Sequence, residues 1–282
     1  MKEKIRKIIT LGIDSDTLKI IAVTSMLLDH IAYYFYDLIP NILYVSLRIL
    51  GRLAMPIFTY QLVQGFFNTK NYNKYLKRIG IYALVTQILI TLVMVVNIKI
   101  FSEYKTNIYT FGNILISFFI ILILLKIIHE PILFKKLDKS QNIIMKIIAV
   151  LLILGIYIFV PLDYGISAPI LAILIYMIEK FRITVLISKN NISQNFTGLL
   201  YKSISENTVK IVYISLILFS LILCVIYCNI SWIIILSIIP IMLYNGERKN
   251  ADKKCKMLFY MFYPAHNVLL YITAMLVANL KI

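Results

Sequence analysis

Asp29 and His30 stand side by side inside the apolar run SMLLDHIAYYFY, residues 25 to 36. A carboxylate beside an imidazole can hold a cation, orient a proton or accept one. Two more groups of this kind recur in similar surroundings. Arg52 lies in LRILGRLAMPIF, and His266 follows Pro264 in FYMFYPAHNVLLY. A charge at the centre of a spanning helix costs about 2.5–3.5 kcal/mol on insertion scales, so such residues mark a function or a pairing.

Helix rise converts sequence position into depth. Asp29 comes roughly 16 Å into its run, and Arg52 and His266 each roughly 14 Å into theirs. Four ionisable groups from three segments therefore share one expected depth. Neighbours on a helix point about 100° apart, so Asp29 and His30 serve different faces. Asp29 is expected to pair with Arg52, each neutralising the other. His30 then faces a cavity, where it takes a proton from an acceptor nucleophile. Pro264 withholds one hydrogen bond and frees the Tyr260 carbonyl near His266. A purely structural account stands beside this one. A lone intramembrane histidine can serve an interhelical hydrogen bond, and an Asp–Arg pair can set helix register.

The elements that position these groups must be membrane helices. The chain has 282 residues, of which 61% are hydrophobic and 15% charged. Apolar runs of about 20 residues, enough for about 30 Å of hydrocarbon, recur from end to end. They lack the alternation of a barrel strand. The expected fold is all-α: a polytopic transmembrane bundle of about nine spans (eight to ten), forming one integral-membrane domain over 1–282. The expected spans are 18–37, 43–67, 79–98, 108–128, 143–161, 164–179, 209–229, 230–244 and 257–280. The polar stretch 182–210 is expected to be a cytoplasmic loop within that domain.

The net charge of +16 does not point to nucleic acid. With these spans, 24 of the 29 Lys and Arg fall on one side. That bias places the N-terminus in the cytoplasm and the C-terminus outside. The basic loops NTKNYNKYLKR and ERKNADKKCK could hold a nucleotide-like donor's phosphates, but topology alone accounts for their charge. There is no Gly-rich phosphate loop and no His-Glu-x-x-His motif, and no metal is expected. Cys224 and Cys228 read as packing residues, and Tyr33, Tyr34 and Tyr36 as interfacial anchors. No cleavable signal is evident after the basic start. The turn VPLDYG (160–165) puts Asp163 at the outer face.

Five motifs in order carry a resemblance: LKIIAVTSMLLDHIA (18–32), LRILGRLAMPIFTYQLVQGFFNT (47–69), DYG (163–165), LYNGER (243–248) and FYMFYPAHNVLLY (259–271). Together they resemble the TraX family, named for a conjugation protein that acetylates the N-terminus of pilin. The family is similar in outline to the integral-membrane acyltransferases. The resemblance implies a bacterial multi-pass protein of the cytoplasmic (inner) membrane. Its acyl donor would be acetyl-CoA. Its acceptor would be a pilin-like protein, a glycan or a small molecule bearing a hydroxyl or amine. It points to Asp29, His30, Arg52 and His266 as catalytic groups. It further points to Asn113, Asp163, Tyr244 and Asn245 as residues that line the site or hold helices together. Lys249, where many relatives carry glycine, departs from the pattern. The rival functions are a transporter, whose substrate path would also need midplane charges, and a non-catalytic part of a conjugation or secretion apparatus.

Overall fold

Helix ends in this chain are written by short polar residues. Asp14 caps the first helix by accepting from the Thr17 amide at 2.8 Å. Asp138 and Gln141 form a reciprocal capping box before Lys139. Asn113 accepts from the amides of both Leu115 and Ile116. Each cap satisfies amides that an unstarted helix would leave orphaned.

The computed structural model describes residues 12–100, 113–132, 137–190, 207–228, 232–247 and 253–280. Among the described residues the chain is helical and forms no strand, only an isolated bridge between Ile13 and Tyr244. The helices are α1 (Ser15–Tyr34), α2 (Asn41–Gly51), α3 (Ala54–Asn68), α4 (Tyr72–Ile100) and α5 (Ile114–His129). They continue with α6 (Lys139–Phe159), α7 (Ser167–Asn190), α8 (Asn207–Cys228), α9 (Ile238–Leu243) and α10 (Lys253–Leu280). Among the described residues, three stretches are long and apolar enough to cross a membrane: Asn41–Asn68, Tyr72–Val93 and Lys139–Phe159.

Two expectations need correction, and one expected span carries a break. The expected span 43–67 lies within Asn41–Asn68, whose helix is interrupted by a turn at Arg52–Leu53 between α2 and α3. Pro56 has no N–H for the Arg52 carbonyl, and its ring crowds that oxygen. The expected span 230–244 is a 3-10 turn, Trp232–Ser237, followed by the six-residue α9. Its run of about 21 Å falls short of the hydrocarbon thickness, and Pro240 lies within it. The expected loop 182–210 is helical at both ends, as the close of α7 and the start of α8. Residues 182–190 contain neither Gly nor Pro, so nothing local stops α7 at its first charges. The middle of that stretch, 191–206, lies outside the described residues.

The described chain forms two compact units, each discontinuous in sequence. The first takes the residues up to Asn68, Leu171–Leu258 and those from Leu270 onward. Its core stripe on α1 is Leu18, Ala22, Met26 and Ala32, spaced to lie on one face. Against it pack the buried residues of α3, including Ile57 and Val63. Phe67 stacks on Tyr176 with ring centroids 5.2 Å apart. Cys224 is fully buried, as a packing residue should be.

The second unit holds Thr69–Ile170 and Phe259–Leu269. Its centre is α5, whose Ile121, Leu122, Leu124 and Leu125 are all inaccessible, as suits a helix apolar all round. Gly80 on α4 lets α5 approach, since a methyl there would sit 2.9 Å from the Phe119 ring. By contrast α6 leaves Leu151, Leu152, Ile158 and Phe159 uncovered by protein.

Candidate functional site

Asp29 belongs to the buried stripe of α1, three residues after Met26 and three before Ala32. The sequence therefore turns a carboxylate into the core with the apolar face. Gly51, the last residue of α2, lies against it. A Cβ built on Gly51 would fall 2.3 Å from the Asp29 Cβ and 2.7 Å from its Oδ1. The ion pair forms with Arg48, whose Nη1 donates to Asp29 Oδ2 at 2.9 Å. This corrects the expected pairing with Arg52. Arg48 and Gly51 are three apart and share a face, whereas Arg52 is rotated about 100° from Gly51. Arg52 caps α2, its amide shared between the carbonyls of Arg48 and Ile49. It adds its positive charge to the field at the same carboxylate. Asp29 Oδ1 is buried and has no hydrogen-bond partner among the described residues.

His30, off the stripe, is half-buried. Its ring meets Tyr34 edge-on at 6.3 Å, and Tyr34 in turn meets Tyr271 at 6.0 Å. The first unit thus brings together Asp29, Arg48, Arg52 and Gly51, with His30 adjoining.

His266 belongs to the second unit. It is 5% exposed, stacks on Phe262 at 4.8 Å, and its Nδ1 lies 2.7 Å from the Phe262 carbonyl. A carbonyl only accepts, so the neutral ring carries its proton on Nδ1 and its basic lone pair on Nε2. Tyr263 and Asn267 tie the segment down. Tyr263 Oη accepts from the Ile114 amide at 3.2 Å, and Asn267 donates to the Tyr263 carbonyl at 3.0 Å.

The residues expected to line the site or hold helices together each make contacts within their own unit. Asn113 caps α5 while donating to the Ala83 carbonyl and to Gln87 Oε1, each at 3.1 Å. The Asp163 carbonyl accepts from Ser117 Oγ at 3.1 Å, in a turn closed by Gly165 N–H on Leu162 O. Asn245 accepts from the Glu247 amide at 2.9 Å, and its own amide donates to Ile13 O. Gly12, at φ +70°, allows this pairing, because a Cβ there would strike Asn245 and the Leu243 carbonyl at 2.8 Å. Tyr244 packs edge-on against Tyr60 at 6.0 Å.

A second polar centre in the first unit escaped the sequence reading. Glu179 and Arg182, three apart on α7, are 1% and 6% exposed and form a two-bond ion pair. The Arg182 guanidinium lies 5.2 Å over the Tyr213 ring. Gln64 donates to Tyr213 Oη at 3.3 Å, and Tyr213 donates to Tyr60 Oη at 3.1 Å. The available signal is an acid with an arginine at i+3, at the end of the expected span 164–179. Among the described residues no group of His, Cys, Asp and Glu could hold a metal.

Two curated relatives share parts of the chain. The probable fimbrial assembly protein FimC, serogroup H1, of Dichelobacter nodosus is 40% identical over 70 residues, 25% of this chain and 28% of that protein. An uncharacterized protein of Rickettsia prowazekii is 38% identical over 110 residues, 37% of this chain and 40% of that protein. The chain thus spans less than half the length of either relative. No solved structure matches it. The pattern of the TraX protein family runs through residues 14–274, nearly the whole length, and the chain belongs to that family.

Proposed function

We propose that this protein is an integral-membrane acetyltransferase that moves an acetyl group from acetyl-CoA to a hydroxyl or amine of an envelope or pilin-like acceptor. The observation that carries the reading is the Asp29 centre in a TraX-family chain. There a buried carboxylate oxygen is left unpaired while a second arginine, Arg52, stands beside the pair. Such a surplus cation suits acyl transfer, because negative charge develops on the thioester oxygen as the acceptor attacks.

In this reading His30, with His266 as the other candidate, takes the proton from the acceptor oxygen or nitrogen. The acceptor forms a bond to the acetyl carbon, and the carbon–sulfur bond breaks. The departing thiolate recovers the proton from the histidinium, leaving CoA thiol and a neutral base. Arg52 steadies the oxyanion, while Asp29 holds Arg48 and thereby the end of α2. The name of the Dichelobacter nodosus relative favours a pilin-like acceptor.

The protein sits in the bacterial inner membrane as a polytopic helical bundle with its N-terminus in the cytoplasm. The uncovered apolar face of α6 supports lipid as its surroundings. Thioester loss from radiolabelled acetyl-CoA, by protein purified into lipid with envelope acceptors supplied, tests the proposal. Turnover should disappear in folded His30→Ala. A second reading, a non-catalytic component of fimbrial or conjugal assembly, rests on that same relative's name. Absence of both acetyl-CoA binding and turnover would favour it.

A further inference from the structure

Cations gather without acids at one end of the second unit. Tyr72 Oη donates to the Leu122 carbonyl at 2.7 Å, and Asn113 donates to Gln87 Oε1 at 3.1 Å. The start of α4 therefore meets the close of α5. Lys146, early in α6, donates to the Glu130 carbonyl just past α5. Lys74, Lys77, Arg78, Lys126, Lys139 and Lys146 thus share that end. Among the described residues the ion pairs are Lys19–Asp16, Arg48–Asp29 and Arg182–Glu179, so no acid neutralises any of these six. Aromatic rings brace two of them instead. Lys126 lies 5.0 Å over the Tyr72 ring, and Arg78 lies 5.9 Å over Tyr260, which stacks on Tyr82 at 4.9 Å. A ring face holds a cation in place without cancelling its charge.

On α4 this charge heads an apolar stripe. Lys74, Arg78, Ile81, Val85 and Ile88 recur at spacings of three and four, so they lie on one face, and all are exposed. From Arg78 to Ile88 the helix rises about 15 Å, the depth of one leaflet in roughly 30 Å of hydrocarbon. We propose that this face seats one anionic phospholipid, its phosphate on Lys74 and Arg78 and an acyl chain along Ile81, Val85 and Ile88. The inference rests on the reading of the chain as a membrane protein. Lys74 and Arg78 are neighbours one turn apart, and a guanidinium offers a phosphate two donors at once. Lys77 beside them repels the ammonium of a choline headgroup, which selects for a lipid with net negative charge. A free phosphate or nucleotide would use the cations and leave the stripe bare.

The test is native mass spectrometry of the full chain in detergent, titrated with dioleoylphosphatidylglycerol and, separately, dioleoylphosphatidylcholine. The tails are identical, and the anionic lipid should bind more tightly. Lys74→Gln combined with Arg78→Gln removes two charges at the headgroup and should weaken it about thirtyfold. Both side chains are exposed, and a thermal melt confirms that the variant folds. Lys19→Gln combined with Lys139→Gln removes two charges elsewhere and should leave the affinity nearly unchanged. An equal loss in that control is the mark of a diffuse field and overturns the site. So does equal affinity for the two lipids, or displacement of the anionic lipid by equimolar inorganic phosphate or CoA. If the wild type is recovered with membranes yet prefers neither lipid, only this site falls. If it is recovered in the soluble fraction, the membrane reading falls with it.

Discussion

Gly51 and Asp29 approach so closely that even a methyl group at Gly51 would overlap the carboxylate's own Cβ, at 2.3 Å. That contact fixes which arginine can reach the acid. It also makes the glycine of the Gly-Arg motif a packing requirement of the site rather than a turn residue.

Gly51→Ala should therefore act as an overpacking change. We expect about 1–3 kcal/mol of destabilisation and a lower melting temperature in detergent. Turnover should fall together with the Asp29–Arg48 contact. A melt unchanged from wild type would show that α1 and α2 do not meet this way.

Arg48 and Arg52 should separate in their effects. Arg48→Gln strips the partner from a mostly buried carboxylate and should cost about 1–3 kcal/mol, less than a fully buried pair because Arg48 keeps 24% of its side chain exposed. Arg52→Gln should leave the melt nearly untouched and lower kcat. In a double-mutant cycle with Asp29→Asn, Arg48→Gln should be strongly non-additive in stability. Equal stability losses for the two arginines would contradict the geometry.

Asn113→Ala removes the cap of α5 and two bonds to α4. A stability loss of about 1–2 kcal/mol is expected, with KM for acetyl-CoA unchanged. A selective rise in KM would instead return Asn113 to the substrate.

Thr59 is fully buried, and its hydroxyl has no partner among the described residues. Thr59→Val should be neutral or stabilising by up to about 1 kcal/mol, read as an equal or higher melting temperature. A clear loss of stability would reveal a bond that the hydroxyl makes elsewhere.

Much of this protein is legible in one dimension. Apolar runs without β-alternation require helices, while the expected starts at 18, 108 and 143 missed the nearest-neighbour caps at Asp14, Asn113 and Asp138. The motifs that run from LKIIAVTSMLLDHIA to FYMFYPAHNVLLY lead to the TraX family, whose pattern covers residues 14–274. Asp29 is visible as an ionisable group in apolar surroundings, since its cost there depends on local composition. Its partner is not visible, because an ion pair between helices depends on which faces meet. Gly51 decides that in favour of Arg48, a choice of one helical turn that depth alone cannot make. The Tyr60–Tyr213 bond joins residues 153 positions apart, and no local pattern encodes it. Sequence determined the helices and the residues too costly to bury idly. Tertiary contact decided which of them touch, since packing acts through surfaces that only the fold brings together.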